Sequence, residues 1–137
     1  MIGVLIATHA NLGSELIKAA EMIHGAMKLA AHVSVGQDKG VEEIKKEISA
    51  GIKKLDQGQG VLILTDLFGG TPSNLSLSFL KSGKVEVVTG VNLPMLLKMT
   101  EIQDSDKTLE EFAHCLKEYG IKNISLASEI LGKKFSG

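Results

Sequence analysis

The chain is 137 residues long, 44% apolar, 23% charged and 4% aromatic, with a formal net charge of -1. This make-up fits one globular domain with a single core and no dependence on metal or disulfide for stability. Its 15 basic residues are all lysine, which removes the guanidinium fork that clamps phosphates and reads bases, while the near-neutral balance removes the basic field that nucleic-acid binding needs.

Cys115 is the only cysteine, so an intrachain disulfide and a cysteine-rich zinc cage are excluded. The first eight residues are apolar but lack a basic flank and stop at His9, too short for a signal peptide or a span of ~20 residues. A cytoplasmic protein is expected.

Residues 2–7 form a continuous apolar run ending in a polar turn, and residues 60–66 repeat that design; runs apolar on both faces predict central parallel strands. Between them, Leu12, Leu16, Ala19, Ala20 and Ile23 share one helical face, residues 32–35 form a weaker strand, and Val41, Ile44, Ile48, Ile52 and Leu55 share a second helical face. Leu75, Leu77 and Phe79 alternate with serines as a strand would. A helix is predicted nonetheless, because Thr71-Pro72 reads as N-cap and first helical position and parallel strands need a crossover element. Valine-rich residues 85–89 make a further strand, and Pro94 opens a short helix to Thr100. Thr108 and Glu111 frame a capping box for a helix running to about Tyr119, with Gly120 as its stop, and residues 121–126 read as a last short strand.

Strand and helix alternate about four times, which predicts an α/β fold over residues 1–137: a doubly wound, mainly parallel sheet with helices on both faces and a short C-terminal edge strand. Ligand chemistry in such sheets gathers beyond the carboxyl ends of the strands. His9 follows the first central strand and Asp66 closes the other, so pairing of those strands brings imidazole and carboxylate together. A carboxylate on Nδ1 fixes the tautomer and leaves Nε2 with an outward lone pair, as nucleophile or base. In the loop after Asp66, the backbone at Gly69 and Gly70 with the hydroxyls of Thr71 and Ser73 outlines an anion cradle ahead of a helix. His24, His32 and His114 lack the i,i+4 spacing of helical metal ligands, and Asp104-Ser105-Asp106 lacks the glycine and distal glutamate of a calcium loop. No metal and no cofactor are expected.

The stretches IGVLIATHANLGSELI, LTDLFGGTPSN and VTGVNLPMLL together resemble the IIA component of the mannose family of the bacterial sugar phosphotransferase system. The resemblance implies a phosphotransferase component whose His9 accepts a phosphoryl group through Nε2 from the histidine-containing phosphocarrier protein and passes it to a IIB component. It implies Asp66 as the orienting carboxylate, Thr71 beside the phosphoryl group, and Phe68 and Asn92 as walls of the site. Membrane IIC and IID components are implied as indirect partners, and a homodimer in which the last strand pairs with the other subunit's sheet. Family members often carry glycine where this chain has Ala10, and a small polar residue where it has Leu67. The transported sugar is not legible, since a IIA component does not contact it. Residues 133–137 carry no proline- or alanine-rich tether; a stand-alone IIA is the expectation, with a part of a IIAB fusion as the alternative.

Three rival readings differ in their residues. A carrier subunit serving dihydroxyacetone kinase has a similar loop histidine, but the sugar-system motifs match better. A receiver-like domain phosphorylated on Asp66 wants an acidic pair after the first strand, where Thr8-His9-Ala10 stands. A nucleotide or flavin binder wants GxGxxG or GxxxxGK[ST] in a strand-to-helix turn, and neither occurs.

Overall fold

The computed structural model describes residues 1–132; residues 133–137, weighed above for a tether, lie outside the described residues. The elements are β1 (Gly3–His9), α1 (Leu12–His24), β2 (Ala30–Val35), α2 (Val41–Leu55), β3 (Val61–Thr65), α3 (Thr71–Leu77), β4 (Val85–Thr89), α4 (Leu93–Ile102), α5 (Leu109–Lys122) and α6 (Ala127–Ile130). The four strands form one sheet in the order β2-β1-β3-β4, parallel at every junction. β1 and β3 are therefore neighbours, in the register Ala7 to Thr65. The chain leaves β1 toward one edge and returns to build the other, so the crevice at the carboxyl ends of β1 and β3 is the switch point of the sheet.

Alternation along β1 and β3 splits the core in two. Ile2, Val4, Ile6, Leu62 and Leu64 pack on one face with Leu96, Met99, Phe112 and Leu116, which belong to α4 and α5. Leu5, Ala7, Val33, Val61 and Ile63 pack on the other with Ile44, Ile48 and Leu55 of α2. Both faces of the central strands are thus apolar, as the unbroken runs predict. On α1 Gly13 and Ala20 are buried and Leu16 and Ile17 partly buried against the core, while the predicted Leu12 and Ile23 are exposed. Gly13 faces the sheet, where an added Cβ would stand 3.1 Å from Ile6 Cγ2 and from the Thr8 hydroxyl. Among the described residues no helix is long and apolar enough to cross a membrane.

The C-terminal expectation needs correction. The capping box forms as predicted, with Thr108 Oγ1 accepting from the Glu111 amide and Glu111 accepting from the Thr108 amide. The helix does not stop at Gly120, however, but runs to Lys122, and residues 121–126 are not a strand. A strand needs a neighbour for its backbone groups; here the amides of Asn123 and Ile124 return to the carbonyls of Tyr119 and Ile121 at 3.1 and 3.2 Å. Gly120 answers to packing instead. An added Cβ would collide with Met95 Cε and stand 2.9 Å from Met95 Cγ, and the Gly120 carbonyl accepts from Asn92 Nδ2 at 3.1 Å. Gly120→Val is therefore expected to lower stability by roughly 1–3 kcal/mol through overpacking between α4 and α5. Urea unfolding measures it; a neutral or stabilising effect would show that the approach to Met95 sets no packing limit at this position.

Candidate functional site

Two strand ends build the site. His9 is the last residue of β1 and Asp66 the first after β3, so the register of two central strands sets their separation. Asp66 Oδ2 accepts from the His9 backbone amide at 3.0 Å and lies 2.9 Å from His9 Nδ1, while Oδ1 accepts from the Leu67 amide at 3.1 Å. The Asp66 side chain is 9% exposed and the His9 side chain 47%. Burial pushes the Asp66 carboxyl up, but the His9 amide and imidazole together outweigh it and hold the group below the usual carboxylate range. An ionised carboxylate only accepts, so Nδ1 carries the ring proton and Nε2 the free lone pair. The arrangement is a half-exposed imidazole whose ring is oriented by a fixed acid and whose Nε2 lone pair is left unpaired by that acid, chemistry open to a base or a nucleophile.

The backbone around His9 is held from both sides. Thr8 Oγ1, fully buried, accepts from the Gly13 amide at 2.7 Å and ties the end of β1 to the start of α1. Sequence reasoning missed this role, although a threonine at a strand-to-helix turn is a signal for such a side-chain bond. Ala10 has φ +49°, the left-handed region that costs a non-glycine residue about 1 kcal/mol, and its amide donates to Val35 O at 2.9 Å. The glycine common at this place in the resembling family is the residue that this backbone would accept without strain.

The loop after β3 is held by its own backbone and hydroxyl groups. Gly69 has φ +95°, and its amide donates to Ser73 Oγ at 3.0 Å, with Ser73 fully buried. Those two groups brace the loop through this bond. Gly70, not Thr71, is the N-cap of α3, and no side chain caps that helix. Thr71 is exposed at the first helical position. Phe68 is 73% exposed and Leu67 50%, so the loop presents apolar side chains outward. Asn92 caps α4 and ties it to α5: Oδ1 accepts from Met95 N at 3.2 Å and Nδ2 donates to Gly120 O. His24, His32 and His114 are exposed on α1, β2 and α5, on elements outside this pair.

The geometry has a counterpart among known proteins. The family model described as PTS system fructose IIA component, EIIA-man, matches residues 3–116. The chain belongs to this family. As an EIIA-man chain it is 30% identical over 124 residues to the mannose-specific EIIAB component of Escherichia coli K12, an alignment covering 90% of this chain and 38% of that one. The chain thus spans little more than a third of that relative. Against the fructose-specific EIIA component of Bacillus subtilis it is 28% identical, with 97% of this chain and 91% of that one covered. A crystal structure of the PTS IIA protein associated with the fucose utilization operon of Streptococcus pneumoniae superposes with a TM-score of 0.82 at 31% identity, covering 94% and 95% of the two chains.

Proposed function

We propose that this EIIA-man chain is a cytoplasmic phosphoryl carrier. It takes the group onto His9 from the histidine-containing phosphocarrier protein and hands it to a IIB component during sugar uptake, the membrane components lying further along. The observation that carries the reading is the 2.9 Å pairing of His9 Nδ1 with Asp66 Oδ2 on a ring that stays half-exposed. The Nε2 lone pair attacks phosphorus in line as the donor's N–P bond breaks, and the donor imidazole leaves with that electron pair. The charge gained by the His9 ring faces the Asp66 carboxylate. Onward transfer reverses these roles, with a histidine or cysteine of the IIB component attacking.

A loose, metaphosphate-like transfer needs alignment and charge stabilisation more than covalent activation. Thr71 and the uncapped start of α3 supply neutral donors at that edge, and no arginine is present to trap the phosphoryl group on the carrier. The receiver-like alternative is disfavoured because the Asp66 carboxylate is engaged through both oxygens. The test is incubation with the general phosphotransferase proteins and labelled phosphoenolpyruvate. Acid-labile, alkali-stable label on His9 is the expected result; label on Asp66, or none, overturns the reading.

The working unit proposed is a homodimer. Beyond a single bridge from Lys81 to Val85, no described strand pairs with the outer edge of β4, an open edge of the kind proteins cover. Ile121, Ile124, Leu126 and Ile130 are each more than half exposed, an apolar run suited to cover that edge in a second copy. Light scattering should give a dimer for the native chain and a monomer for Ile124→Lys with Leu126→Lys. A native monomer, or a dimer indifferent to both changes, refutes the arrangement.

A further inference from the structure

The two glycines of the β3–α3 loop have different reasons to be glycine. Gly69 sits at φ +95°, where side chains are strained, and an added Cβ would meet nothing within 4 Å. Gly70 is the reverse case. Its φ of -90° and ψ of 172° are extended backbone that any residue adopts, and it occupies an N-cap, a position where serine, threonine or aspartate would bond the first amides of α3. The chain forgoes that cap. What an added Cβ would meet is the imidazole: His9 Cε1 at 2.7 Å and Nε2 at 3.2 Å, with Leu67 Cγ next at 3.8 Å. The first distance lies far inside the 3.5–4.0 Å at which carbon atoms pack.

We propose that Gly70 is a positioning residue for His9: its backbone, bare of a side chain, leaves the room that Cε1 and Nε2 occupy while Asp66 holds the adjoining Nδ1. The ring orientation that Asp66 fixes is open only because residue 70 has no Cβ. A methyl group at residue 70 pushes Cε1 away, turns the ring, and breaks the 2.9 Å contact to Asp66 Oδ2, so Nε2 loses both its tautomer and its direction. The same methyl group crowds the flank of Nε2. This assignment rests on the carrier reading for its purpose, but the contact itself does not.

A double-mutant cycle tests it. Gly70→Ala is expected to lower Tm by roughly 5 °C when His9 is present and by no more than about 1 °C in a His9→Ala background, because removing the ring removes the collision. Should Gly70→Ala fail to fold alone, folding of the double variant supports the proposal, and failure of both overturns it. Equal losses in the two backgrounds also overturn it. Nitrogen NMR of His9 should show the Nδ1–H tautomer in the parent chain and a mixture in Gly70→Ala; an unchanged tautomer in the folded variant refutes the assignment. Phosphorylation of Gly70→Ala should slow by roughly 100-fold at saturating donor with little change in KM. The thermal cycle and the spectra need no phosphoryl transfer, so a parent chain that takes no phosphate overturns the carrier reading while leaving this contact to be judged on its own.

Discussion

His9→Ala is expected to abolish phosphorylation by the phosphocarrier protein, with initial rates falling by at least about 10,000-fold, because the nucleophilic nitrogen itself is gone. The loss should be chemical and not structural. The alanine variant keeps the backbone amide that donates to Asp66 Oδ2, and the Leu67 amide still donates to Oδ1. Only the ring-to-carboxylate bond of a half-exposed side chain disappears, so stability should change by about 1 kcal/mol. Rate of label uptake and urea unfolding, measured on one preparation, separate the two effects. Appreciable uptake by a folded His9→Ala chain would place the acceptor elsewhere.

Asp66 should show the second-largest effect, and its two roles are separable. Asp66→Asn keeps an oxygen that can accept from the His9 amide and Nδ1–H together, so the amide group favours that orientation over its flipped alternative. The tautomer is then preserved while the countercharge is lost, and transfer should slow by roughly 100-fold. Asp66→Ala loses bond and charge alike, and roughly 1,000-fold or more is expected, since a wrong tautomer places the proton on the attacking nitrogen. Equal rates in the parent and both variants would remove Asp66 from the mechanism.

Stability carries the same signature in acid. The folded-state pKa of Asp66 is lowered, so its contribution is present above the unfolded value near 3.8 and is lost as pH falls through the folded value. Asp66→Asn should therefore flatten the acid limb of the unfolding curve, which thermal melts between pH 2 and 6 would resolve.

The reach of the sequence can be judged residue by residue. Apolar runs at residues 2–7 and 61–64 specify strands buried on both faces, and with them a parallel sheet, because the pattern is local and an unbroken run leaves neither face polar. Thr108 and Glu111 specify a helix start for the same kind of reason: every group in a capping box lies within one turn. The His9 and Asp66 pairing was legible as an expectation, since two central strands ending in reactive residues make a crevice wherever they are adjacent.

What only the tertiary structure decided is what each small or polar residue is small or polar for. Gly120 looks like a helix stop until Met95 is packed against it, and Gly70 looks like its neighbour Gly69 until the imidazole is laid beside it. That Asn92 joins α4 to α5 and that Ser73 accepts from the Gly69 amide are likewise visible only in the folded chain. Periodicity and capping are properties of neighbours along the chain and can be read in one dimension. A steric vacancy or a hydrogen-bond partner belongs to two segments far apart in sequence, and it exists only once the sheet has set the distance between them.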